Sequence, residues 1–108
     1  MVYYTEKVKE YANEMPDELR RIIYSLSNDL SIAVFLVLFK HGKQSQEHIS
    51  NILDIPSCFI DTVELNLKDL QKSSLISSTL ENGIYYYDIT ELGERVLNNL
   101  MKIVSQEG

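Results

Sequence analysis

The chain has little of what several protein classes depend on. Its 108 residues include one cysteine, two prolines and four glycines. A lone cysteine, Cys58, leaves no partner for an intramolecular disulfide and no multi-cysteine zinc site, and it fits a reducing compartment. So few glycines and prolines, with 44% hydrophobic and 24% charged residues, exclude collagen-like, low-complexity and disordered chains. The longest apolar run, Ile32 to Phe39, spans eight residues, well short of the roughly 20 that cross a bilayer. Met1 to Val8 lack the basic start and apolar stretch of a signal peptide. These absences predict a soluble, cytoplasmic protein with no membrane partner. Nucleophile-base constellations, glycine-rich phosphate loops and paired metal motifs are also missing, so no enzyme activity, cofactor or metal site is expected. His41 and His48 read as loop or cap residues, since no cysteine or carboxylate set converges with them.

Positive charge is the other scarcity. Ten Lys and Arg stand against 16 Asp and Glu, for a net charge of -6, the wrong sign for a protein that holds nucleic acid by bulk charge.

At this length the chain makes one domain. Thr5 to Glu14 place Val8, Tyr11, Ala12 and Met15 at helical spacing. Pro16 opens a second helix with Leu19, Ile22, Ile23 and Leu26 as its apolar stripe, and Ser27-Asn28-Asp29 ends it. A third helix, from about Leu30 to His41, is apolar on nearly all sides and stops at Gly42, which makes it the expected buried centre. Ser45 caps a short helix to about Leu53, Asp54-Ile55-Pro56 turns the chain, and Ser57 caps a longer helix to about Ser73. Two strands flank Asn82-Gly83, a strong hairpin signal because both residues accept positive φ. Thr90 then caps a last helix.

The expected fold is mainly α with a small β-hairpin, a winged helix-turn-helix with an extra helix at each end. Residues 1–15 form an N-terminal extension and 16–90 the core, with the helix-turn-helix at 45–73 and the wing at 75–89. Residues 90–108 form the C-terminal helix. Ile49, Leu53, Ile55, Ile60 and Val63 occupy the packing positions of a helix-turn-helix, Ser50 provides the small residue at the closest approach, and Asp54 holds the turn.

With these segments in place, the chain resembles winged-helix regulators of the ArsR-like and MarR-like kind over roughly Leu19 to Val104. The resemblance is carried by Tyr24 to Phe35, by VELNLKDLQKSSLI at Val63 to Ile76, and by YDITELGER at Tyr87 to Arg95. It implies a homodimer that regulates transcription, a recognition helix at Ser57 to Ser73 in the major groove of double-stranded DNA, and a wing tip at Glu81-Asn82-Gly83 near the adjacent backbone. The chain departs from the family pattern at Ser31, where an Arg is common, and at Glu64-Leu65, where Ser-Arg is common. The paired cysteines of metal-sensing members are absent from Ser45 to Leu53.

At about 100° per residue, Ile60, Val63, Leu67 and Leu70 turn to the core and Cys58, Asp61, Thr62, Leu65, Lys68, Asp69 and Lys72 turn away. The candidate DNA-binding residues are Lys43, Ser45, Gln46, Ser57, Asp61, Thr62, Leu65, Lys68, Asn82 and Tyr86. Residues 43–76 carry three Lys against five Asp and Glu, and the wing carries Glu81 and Asp88 with no base. Because charge is screened beyond about 8 Å, this local deficit counts for more than the total. The alternative is a protein-docking module whose acidic, apolar recognition face receives a protein partner. The apolar faces of the first and last helices, with Val8, Tyr11, Met15, Leu97, Leu100, Met101 and Val104, are the candidate dimer interface.

Overall fold

A computed structural model describes residues 5–107, with side chains through Ile103. The order is α1 (Glu6–Asn13), α2 (Asp17–Ser25), α3 (Asp29–His41), β1 (Gln44–Ser45), α4 (Gln46–Ile52), a 3-10 turn (Ser57–Phe59), α5 (Ile60–Lys72), β2 (Ile76–Glu81), β3 (Ile84–Ile89) and α6 (Glu91–Glu107).

Local chemistry sets most of the boundaries. Thr5, Asn28 and Ser45 each accept a hydrogen bond from the backbone N–H three residues on, at 3.2, 2.9 and 3.2 Å, and so start α1, α3 and α4. Thr90 does the same for α6 through the Gly93 N–H at 3.0 Å. Each such cap contributes about 1 kcal/mol. Gly42, at φ +77°, ends α3.

Helices α4 and α5 share one way of stopping. After α4, Asp54 takes φ +53°, its N–H donates to the Asn51 carbonyl, and the Ile55 N–H donates to the Ser50 carbonyl at 2.9 Å. After α5, Ser74 takes φ +62°, with Ser74 N–H to Gln71 and Leu75 N–H to Leu70 in the same pattern. Both are Schellman closures with a non-glycine residue in the left-handed position. The first makes the turn of the helix-turn-helix, and the second turns the chain into β2.

The core forms where α3, α4 and α5 meet the sheet. Val34, Leu38, Ile49, Val63, Leu67, Leu70 and Leu75 have no exposure, with Phe35, Val37, Ile76 and Leu97 also buried. The sheet order is β1-β3-β2, antiparallel throughout, with Ile76 opposite Ile89 and Glu81 opposite Ile84. Asn82 and Gly83, at φ +52° and +80°, make the two-residue turn expected from their sequence.

Several expectations are corrected. Ser57 does not cap the recognition helix. Pro56, at φ -60°, starts a 3-10 turn closed by Phe59 N–H to Pro56 carbonyl at 2.9 Å, and the α register begins only at Ile60. Ile60 therefore precedes the buried stripe and stays 41% exposed. In α2, Ile22 and Leu26 pack on the core while Leu19 and Ile23 remain exposed. In α3, Ile32 and Phe39 are exposed at the flanks of the buried centre. The first strand, β1, has no counterpart in the sequence reading. Leu97, expected at a dimer interface, is 8% exposed and belongs to the monomer core. The Val104 side chain lies outside the described residues.

Among the described residues no single helix is long and apolar enough to cross a membrane.

Candidate nucleic-acid interface

The outer face of the helix-turn-helix is built by α4, the 3-10 turn and the first half of α5, with the β2–β3 hairpin beside it. Ser57, Asp61, Thr62, Leu65 and Lys68 all lie exposed there, and Asn82 is exposed at the hairpin tip. Ser45 departs from the expected role. Its hydroxyl accepts the His48 N–H and the residue is buried, because β1 draws it against Tyr86 of β3. Gln46 is half-buried, and its amide donates to the Ile60 carbonyl at 3.4 Å, across the gap between the two helices.

Strand β1 also fixes Lys43. Its ammonium sits 2.7 Å from a Glu81 carboxylate oxygen and 5.6 Å from the centre of the Tyr86 ring. Thr79 donates to the same carboxylate oxygen at 3.3 Å. The hydrogen bond and charge of Glu81 push the Lys43 ammonium above its ordinary value, and the hydrogen bond from Lys43 pulls the Glu81 carboxyl below its own. Tyr86 faces outward under this pair, while Tyr87 and Ile89 pack on the core, as their alternation predicts. Burial, followed by the nearby Glu64 charge, pushes the Tyr87 phenol up.

Lys68 lies 3.5 Å from Glu64 on the next turn of α5. Both lysines among the candidate DNA-binding residues therefore have carboxylate partners. Exposed apolar side chains accompany them: Phe59, Ile60 and Leu65 on the 3-10 turn and α5, and Leu80, Ile84 and Tyr85 on the hairpin.

Two buried polar contacts that the sequence reading missed set the position of α5. Ser31 of α3 donates to the Asn66 side-chain oxygen, and the Asn66 amide donates to the Thr62 carbonyl at 2.7 Å. Asn66 is 8% exposed. The available signal was its place in the apolar stripe, three residues after Val63 and four before Leu70. At the other end of α5, Ser25 of α2 donates to the Asp69 carbonyl at 3.1 Å and Ser73 donates to the Arg21 carbonyl at 3.0 Å, with the two hydroxyls in contact.

Gly93 accounts for the glycine of the YDITELGER segment. A Cβ there would stand 2.3 Å from the Leu75 carbonyl oxygen and 2.7 Å from the Ile89 side chain.

A helix pair closed by a left-handed turn, followed by a hairpin to which the preceding β1 adds a third strand, and by a closing helix, defines a winged helix-turn-helix. Solved structures agree on the fold. One is the homodimeric winged helix-turn-helix DNA-binding domain of a possible ArsR-family transcriptional regulator from Mycobacterium bovis, with a TM-score of 0.69 at 20% identity over 99% of this chain and 92% of that one. NolR from Sinorhizobium fredii gives 0.68 at 15% identity, covering 95% and 96%. A transcriptional regulator assigned to the MarR family from Enterococcus faecalis gives 0.68 at 12% identity, covering 99% and 89%. No family model matches the sequence, and no curated protein matches it.

Proposed function

We propose that the chain is a cytoplasmic transcriptional regulator that binds double-stranded DNA as a homodimer, acting by binding rather than catalysis and without a cofactor. The observation that carries this reading is the exposed 3-10 turn and first half of α5, which project Ser57, Asp61 and Thr62 beside a hairpin wing. Hydroxyls bond to bases or phosphates, and Asp61 accepts from a cytosine amino group. The Mycobacterium bovis neighbour, a homodimeric DNA-binding domain, supports the same reading. Dimerisation is favoured by exposed Val8 and Tyr11 on α1, Met15 just after it, and Leu100, Met101 and Ile103 on α6; α1 buries none of its own residues.

With Lys43 and Lys68 held by carboxylates, few phosphates are neutralised per subunit, so affinity is modest and its salt dependence shallow. Selection from random duplexes at low salt is the test. The expected product is an enriched two-fold symmetric sequence, as dimeric helix-turn-helix proteins require. No enrichment by a protein that light scattering shows to be dimeric overturns the proposal.

A second reading rests on the exposed Leu65, Phe59 and Tyr85, with the exposed Asp61 and Glu64 on the same stretch of α5 as Leu65. Such an acidic, apolar face suits a basic, apolar segment of a protein partner. Leu65→Arg should abolish that docking, and a co-purifying partner retained by the variant counts against it.

A further inference from the structure

The strongest concentration of positive charge is not on the recognition face. Arg20, Arg21 and Lys72 line a cleft of about 730 Å³ between α2 and the C-terminal turn of α5, with Tyr24 as a wall and Asp69 as its one acidic group. Glu18 lines the crevice beside it. In a chain of net charge -6, three cations around one open cleft run against the overall balance.

The chain's own contacts leave these cations largely unassigned. The Arg20 guanidinium donates to the Ala12 carbonyl at the end of α1, which uses one of its five N–H groups. Arg21 and Lys72 form no ion pair or side-chain hydrogen bond among the described residues. The floor, by contrast, is closed. The Ser25 and Ser73 hydroxyls are taken up by each other and by the Asp69 and Arg21 carbonyls, and both serines are buried. A floor with its hydroxyls satisfied, under guanidinium and ammonium donors without carboxylate partners, suits an oxyanion.

We propose that this cleft binds a small organic phosphate, its dianion held by Arg21, Lys72 and Arg20 and its ring laid on Tyr24. Three cations against Asp69 leave a surplus of two positive charges among the lining residues, which suits the charge of about -2 on a phosphate monoester better than that of a carboxylate. The exposed Tyr24 ring offers a planar surface for stacking. The volume falls in the range of small-molecule sites. DNA is a poor occupant. Lys72 ends α5, and at 1.5 Å per residue it lies about 18 Å along the helix from Ile60, away from the end that faces a groove. The site stands whether or not the chain reads DNA.

Calorimetry on the full chain at physiological salt tests it with three probes: adenosine monophosphate, inorganic phosphate and adenosine. The nucleotide should bind at least about tenfold more tightly than either fragment, a difference of about 1.4 kcal/mol. The Arg21→Gln/Lys72→Gln double variant should lose that binding by about tenfold or more, while Lys7→Gln/Lys9→Gln keeps it. Both changes alter exposed side chains, and circular dichroism should show an unchanged fold. Equal binding of phosphate and nucleotide, undiminished binding by the double variant, or no binding of the nucleotide each overturns the proposal.

Discussion

Lys43 and Glu81 close the outer face of the wing on itself, ammonium to carboxylate at 2.7 Å across the Tyr86 ring. The contact exists because β1, only two residues long, pairs with β3 and carries the preceding lysine to the wing tip. Its consequence reaches function. Lys43, one of the few cations beside the helix-turn-helix, already has an anionic partner and is not free to neutralise a phosphate.

This pair predicts a definite pH response. Glu81 is held below its ordinary 4.5, so its contribution is complete above that value and is lost as pH falls through the lower folded value. Lys43 is held above its ordinary 10.5, so its contribution is complete below that value and is lost as pH rises through the higher folded value. The pair therefore holds from about pH 4.5 to pH 10.5. Lys43→Met should return the Glu81 titration, followed by carboxyl carbon NMR, towards 4.5. An unchanged midpoint contradicts the contact. Glu81→Gln should free Lys43, strengthen DNA binding and steepen its salt slope by about one ion.

Gly93 is predicted to be intolerant of a single methyl group. Its missing Cβ faces the backbone oxygen of Leu75, which cannot swing aside as a side-chain end would. Gly93→Ala should cost about 1–3 kcal/mol despite the better helix propensity of alanine. Chemical denaturation measures this, and a stabilised variant contradicts the packing.

The Ser31–Asn66 bond should behave as a coupled pair. Removing Ser31 alone or Asn66 alone strands a buried polar group at about 1–3 kcal/mol, whereas the double change costs less than the sum. Ser50 provides the contrast. Its buried hydroxyl has no hydrogen-bond partner among the described residues, so Ser50→Ala should be neutral or stabilising. A double-mutant cycle with no coupling contradicts the Ser31–Asn66 contact.

The sequence was most legible where structure is decided locally. Ser45 and Thr90 cap helices as expected, because a side-chain oxygen three residues from a free N–H needs no distant partner. Asn82-Gly83 and Asp54 likewise announce their own positive φ. What escaped depends on tertiary pairing. Ser74 adopts the left-handed position with no compositional sign, β1 exists only because β3 is beside it, and Leu97 faces a core whose extent periodicity cannot measure. Ser57 misled because a proline ahead of it set a 3-10 turn. Of the candidate interface, Asp61, Thr62 and Leu65 are exposed as their helical phase requires. The Glu81 partner of Lys43 and the burial of Ser45 were decided by strand pairing, which sequence spacing does not encode.

In the proposed function, the first half of α5 and the wing receive a DNA duplex. Amide NMR of the isotope-labelled chain, titrated at low salt with the duplex recovered by selection, tests it most directly. Shifts should concentrate at Ser57 to Leu65, at Gln46 and at Asn82, with Arg21 and Lys72 unmoved. Shifts centred on the Arg20–Arg21–Lys72 cleft, or none on α5, would contradict it.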